Sequence, residues 1–158
     1  MRFLVEDWLV DVNCDFADKC VLVSLACTII QRLLCQHPIL SVTAGKGGGG
    51  KTTAIQMSFT ELTGKEAPAA AWSTNPEERR KSIFAYAREG VAGIVFDNIA
   101  NGTLISDATI ERICTAPSLF DRVLRLSKNE DVATDAVLNF TRCISTVCLS
   151  SSGHRPAP

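Results

Sequence analysis

Apolar positions in the first third of the chain recur at helical spacing, with Val21, Leu25, Ile29 and Leu33 along one stripe. Asp15 stands before them as an N-cap and His37-Pro38 closes them off, which predicts a helix over 16–34. A short buried strand follows at Ile39–Thr43, then a glycine loop at Ala44–Gly50. Helical spacing resumes over Lys51–Leu62 through Ile55, Phe59 and Leu62, and Gly64 stops it. The apolar run Ala69–Ser73 predicts a strand. Thr74 or Asn75 caps the next helix, which has Pro76 at its first position, Glu77-Glu78 in its first turn and a buried face of Ile83, Phe84 and Ala87 before Gly90. The β-branched content of Val91–Phe96 predicts a strand, and Asp107–Cys114 a short helix stopped before Pro117. Arg122–Leu126 and Asp131–Phe140 alternate as two further strands about a turn at Ser127–Glu130. Strands alternating with helices in this order predict an α/β layer fold with a mainly parallel sheet, preceded by an N-terminal helix.

Composition sharpens that picture only a little. With 158 residues, 46% apolar and 21% charged, the chain suits one globular domain rather than a disordered segment. A net charge of −1 offers no broad positive field to nucleic acid or an anionic membrane, although a local patch would not show in that sum. Glu6 and Asp7 interrupt the N-terminal segment, so it does not read as a signal peptide. The most apolar run, Cys20–Ile30, is about half the roughly 20 residues a bilayer span requires. Seven cysteines without a secretory signal are expected as reduced thiols in a cytoplasmic protein with no membrane partner. Cys143-x4-Cys148 with His154 lacks a fourth ligand at a zinc-like spacing.

The chemistry concentrates at Gly45-Lys46-Gly47-Gly48-Gly49-Gly50-Lys51-Thr52, which fits G-x-x-x-x-G-K-[ST] and is followed by Thr53. Wrapping a phosphate requires successive backbone N–H groups turned inward, in conformations that a β-carbon opposes and glycine permits. The helix that follows aims its N-terminal N–H groups at the same anion. Lys51 supplies charge to the β- and γ-phosphates, and the Thr52 hydroxyl is placed for magnesium. Gly45–Thr53 therefore predicts a nucleotide site with ATP and Mg as cofactors, and makes the expected architecture a three-layer P-loop NTPase. Gly93–Asp97 supplies its second half, an apolar strand ending in an acid, with Asp97 as the second magnesium residue.

Lys46-Gly47-Gly48-x-x-Lys51-Thr52 resembles the deviant loop of partition and septum-site ATPases, which would make Lys46 as essential as Lys51. In those proteins the loop lies near the N-terminus and a strand ending in an acid follows its helix soon after, a pattern that Lys65–Asn75 lacks. A resemblance covering nearly the whole chain to Thr141 rests on Glu6–Asp11, Thr43-Ala44-Gly45 with the loop, Ala71-Trp72-Ser73, Glu77–Lys81, Phe96–Ile99 and Asp121-Arg122-x-Leu124-x-x-Ser127. By these it is similar to the ATPase module of phage and prophage replication proteins, related to superfamily III helicases, primase-helicases and AAA+ ATPases. The resemblance implies ATP hydrolysis, a subunit ring in the full-length form, and a hairpin over 120–137 that faces single-stranded or duplex DNA, with Lys128 near its tip. An ordinary solvated surface explains Arg122, Arg125 and Lys128 equally well.

Two departures bear on activity. Asn98 stands where many such ATPases have a glutamate that orients the attacking water, and an amide cannot act as a base. Asn98 joins Lys51 and Asp97 among the expected catalytic positions, orienting a water by hydrogen bonding, with Glu89, Asp107 or another acid as the alternative. The second departure is Arg142–Pro158, which replaces the glycine, asparagines and later arginine that the resemblance implies. The expectation is a P-loop ATPase domain at 1–141 (helical lead-in 1–37, nucleotide-binding core 38–141) with an aberrant or frayed tail at 142–158. A frameshift or truncated gene would account for it, leaving the C-terminal part of the fold incomplete, without sensor asparagine or arginine finger. ATP binding with impaired hydrolysis follows. The rivals are a partition-type ATPase dimerising on ATP, an inactive prophage fragment and, lacking an Arg-rich lid, a small-molecule kinase.

Overall fold

A computed structural model describes residues 2–32, 34, 41–45, 50–100, 102–123 and 128–143. A π-helical turn over Leu4–Trp8 leads into α1 (Phe16–Gln31), where the Asp15 carboxylate accepts from the Asp18 N–H at 2.8 Å. Then come β1 (Ser41–Gly45), α2 (Lys51–Thr63), β2 (Ala69–Ala71), α3 (Pro76–Arg88), β3 (Gly93–Ile99), α4 (Ala108–Thr115), β4 (Ser118–Arg122), β5 (Asn129–Ala133) and β6 (Val137–Cys143). The fold is α/β. One sheet has the order β1-β6-β3-β2 with every neighbouring pair parallel, and β4 and β5 form a separate antiparallel hairpin.

Helices lie on both faces of the sheet. On one, Leu25 and Ile29 of α1 and Ile55 and Phe59 of α2 bury Val95 and Val137. On the other, Ile83 and Phe84 of α3 and Ile110 and Ile113 of α4 bury Ile94, Phe96, Leu138 and Phe140. Consecutive residues of β3 and β6 thus enter opposite cores, as the two-residue strand period requires. Trp8 donates its indole N–H to Glu61 of α2, and Leu9 packs with Leu22 and Val23, so the lead-in segment is fastened to the α1/α2 side.

Local signals placed the starts of α1 and α3 and the stop of α2. Asn75 accepts from the Glu77 N–H at 2.9 Å with Pro76 next, Asp107 accepts from the Thr109 N–H at 2.8 Å, and Gly64 closes α2 at φ 74°. Several expectations need correction. Helix α1 ends at Gln31 rather than Leu34, and its buried positions include Leu22 and Val23, while Val21 is 43% exposed. Leu62 is exposed, because α2 turns only Ile55, Ser58 and Phe59 fully inward. Strand β1 continues to Gly45 (residues 39 and 40 lie outside the described ones), β2 stops at Ala71, and β3 runs from Gly93 to Ile99, so Asp97 and Asn98 belong to the strand. The segment 131–140 is not one strand. It divides at Thr134–Ala136, where Thr134 donates to the Ala116 carbonyl, and β4 lies at 118–122, ahead of its expected place. Strand β6 also carries Arg142 and Cys143, two residues into the segment expected to be tail.

Candidate functional site

In an open parallel sheet the strand ends that face ligands are the C-terminal ones. Here Gly45 of β1, Thr141 of β6, Asp97 of β3 and Ala71 of β2 share that edge, since Thr43 is level with Thr141, Phe140 with Phe96, and Ala71 with Asp97. Helix α2 begins at the same edge. Its N-cap, Gly50, has φ 70°, a left-handed conformation that costs glycine little and other residues more. Among the described residues no side chain caps α2, and its first turn has no acid, so its amide dipoles suit an anion. Lys46, Gly47, Gly48 and Gly49 lie outside the described residues; Gly45, Gly50, Lys51, Thr52 and Thr53 flank them.

The geometry brings Thr52 and Asp97, 45 residues apart, into contact: the Thr52 hydroxyl lies 3.2 Å from Asp97 Oδ1. The same oxygen accepts the Asn98 N–H at 2.8 Å and the hydroxyl of Thr141. The Thr141 hydrogen bond is the largest influence on this carboxyl and holds it below the usual carboxylate range, against the opposing effect of burial. The Asn98 N–H, the Thr52 hydroxyl and the charge of Lys51 act in the same direction. Asp97 is thus an ionised, oriented carboxylate beside a hydroxyl. These hard oxygen donors fit magnesium, which is held by one or two protein groups together with phosphate oxygens and water. Among the described residues no three His, Cys, Asp or Glu side chains cluster to hold a metal ion. Cys148 and His154 of the alternative metal motif lie outside the described residues.

Asn98 owes its position to an irregularity in β3. Its φ is 56°, and the pairing with β6 shifts between Phe96 and Ile99. Regular alternation would turn Ile99 toward α2, yet Ile99 packs in the α3/α4 core. The left-handed residue absorbs that change of face, and asparagine tolerates it better than most side chains. Asn98 is left exposed and, with Asp97, lines a cleft of ≈ 600 Å³ shared with Trp72, Thr74 and Thr103. Neither alternative acid takes its place. Glu89 sits beyond the N-terminal end of β3, and about 13 Å of strand separates Gly93 from Asp97. Asp107 is buried against Arg79 and caps α4.

Two functional-looking groups escape a linear reading. Thr141 lies two residues before the end of β6, and only the placement of β6 between β1 and β3 brings it to Asp97. Arg79 sits in a charged run that reads as solvent-exposed, yet it is buried. It donates to the Ser73 carbonyl at 2.7 Å, pairs with Asp107 and lies 4.8 Å over the Trp72 ring. Its only sequence signal is its spacing of four from Ile83.

On the hairpin, Arg122 and Lys128 are exposed, Lys128 lies 3.2 Å from Glu130, and Arg80 of α3 pairs with Asp121. Strand β2, the one that follows α2, ends without an acid. Among the described residues no helix is long and apolar enough to cross a membrane. No family model matches the chain, and no curated protein matches it.

Proposed function

We propose that this chain binds a nucleoside triphosphate with magnesium at the C-terminal edge of its parallel sheet, as the ATPase domain of a phage-type replicative helicase or primase-helicase. The observation that carries the nucleotide reading is the meeting of Thr52 with Asp97 at the start of the helix that follows the glycine loop. Lys51 and the loop amides would hold the β- and γ-phosphates, and Thr52 and Asp97 the magnesium, which when bound neutralises phosphate charge. The sheet order, with helices on both faces, supports a three-layer P-loop architecture.

Turnover is slow in this reading. Asn98 stands beside Asp97 with an amide that can position a water but not accept its proton, and neither Glu89 nor Asp107 is placed to do so. The nucleic-acid role rests on the resemblance and on the β4–β5 hairpin. The described part of that hairpin carries two cations, Arg122 and Lys128, against three acids, Asp121, Glu130 and Asp131.

The test is calorimetric titration of the purified chain with ATP and with GTP, each with magnesium and with EDTA, alongside its oligomeric state. Magnesium-dependent binding that Lys51→Ala abolishes is expected. Absence of binding by the folded wild-type chain would sink the reading, and rapid ATP hydrolysis would sink the part assigned to Asn98.

A further inference from the structure

Resting on that nucleotide reading, we propose that Thr141 is a positioning residue for the cation: its hydroxyl, donated across the sheet, sets the Asp97 carboxylate so that Asp97 and Thr52 face one divalent ion together. Thr141 is 1% exposed and lies on β6, between the strand that leads into the glycine loop and the strand that carries Asp97. A buried threonine hydroxyl in a helix commonly satisfies itself on a backbone carbonyl of its own element, as Thr28 does with Ser24. Thr141 instead bonds a carboxylate oxygen on the neighbouring strand.

Three donors then meet on Asp97 Oδ1, from β6, from α2 and from the Asn98 backbone. The Asn98 N–H belongs to the next residue and constrains the carboxylate only locally, and the Thr52 hydroxyl becomes a cation ligand in the loaded state. Thr141 is the remaining donor, fixed by its place in the middle of the sheet and independent of the loop. It holds the carboxylate's orientation whether or not a cation is present, so that binding does not have to order it.

Thr141→Val keeps the shape and removes the hydroxyl, and Thr141→Ser keeps the hydroxyl. The readout is the ratio of ATP affinity in magnesium to ATP affinity in EDTA, measured by calorimetry on the full chain, with circular dichroism showing that each variant is folded. Without that hydroxyl the carboxylate has to be ordered at the moment the cation binds, so Thr141→Val should lower this ratio up to about ten-fold. Its EDTA affinity should stay at the wild-type value, and Thr141→Ser should restore the ratio. An unchanged ratio in folded Thr141→Val overturns the proposal. So does a parallel fall of both affinities, or an unfolded Thr141→Val combined with a Thr141→Ser that lowers the ratio, since each marks a structural role. If wild-type chain binds no ATP in either condition, the nucleotide reading itself fails, an outcome distinct from binding with an unmoved ratio.

Discussion

Arg79→Met tests how the wall of the Asp97 cleft is held. Arg79 and Asp107 have side chains 9% and 5% exposed, so methionine would leave a buried carboxylate without its cation. Breaking a buried pair from one side costs about 3–5 kcal/mol. The Ser73 carbonyl would also lose its 2.7 Å donor, a loss of about 1 kcal/mol. In partial compensation, Asp107 keeps the Thr109 N–H at 2.8 Å and methionine retains much of the arginine stem's packing. The expected net loss is therefore about 3–4 kcal/mol, a large part of the roughly 5–15 kcal/mol typical of a domain. Urea unfolding at neutral pH, followed by circular dichroism and by tryptophan fluorescence, measures it, with Trp72 beside the altered side chain. The control is the adjacent Arg80→Met, whose pair with Asp121 is 45% and 16% exposed and should cost about 0–1 kcal/mol.

The pH dependence carries a definite sign. Burial pushes the Asp107 carboxyl up, but the hydrogen bonds from Arg79 and Thr109 outweigh it and hold the group below its ordinary range. A folded-state pKa below the unfolded one gives stability that is present above about pH 4 and is lost as pH falls through the folded value. Arg79→Met removes much of that depression, so the gap between wild type and variant should narrow on acidification. A variant within about 1 kcal/mol of Arg80→Met, or a gap that widens in acid, would refute the reasoning.

Gly93→Ala should destabilise by about 1–3 kcal/mol, read as a lower Tm. A β-carbon there would come within 2.3 Å of the Phe59 ring and 2.8 Å of the Val137 carbonyl, and the carbonyl cannot swing away. Asn98→Gly should match wild-type stability or exceed it, whereas Asn98→Ala should cost about 1 kcal/mol at φ 56°, both read by urea unfolding. Asp97→Asn should erase the gain in ATP affinity that magnesium provides, measured by calorimetry against EDTA. If the hairpin touches single-stranded DNA, Arg122→Ala and Lys128→Ala should each lower the salt slope of binding by about 0.7, and unchanged slopes would remove the hairpin from the nucleic-acid role.

Much of this protein is decided within a few residues of chain. Asp15, Asn75-Pro76 and Asp107 start their helices because each side chain reaches an N–H two or three residues on, and Gly64 stops α2 because it accepts a left-handed φ. A glycine loop and an apolar run leading to Asp97 were legible for the same reason: each is a local pattern. Strand limits were less so. The alternation over 131–140 fits one strand as well as two, and what divides it is the return of the hairpin, with Thr134 anchored on Ala116.

The tertiary structure alone decided which polar groups meet. Arg79 and Arg80 sit side by side in one charged run, and contact with Trp72 and Asp107 buries the first while the second stays nearer the surface. Thr141 reaches Asp97 because β6 enters the sheet between β1 and β3, a choice of strand order made by long-range packing. Asn98 faces the cleft because Ile99 is drawn into the α3/α4 core and the backbone turns to allow it. The sequence by itself determined where most helices start and the glycine-rich pattern before α2, which depend on neighbours along the chain. Only packing of residues more than forty positions apart could assemble a carboxylate and two hydroxyls at one edge of the sheet.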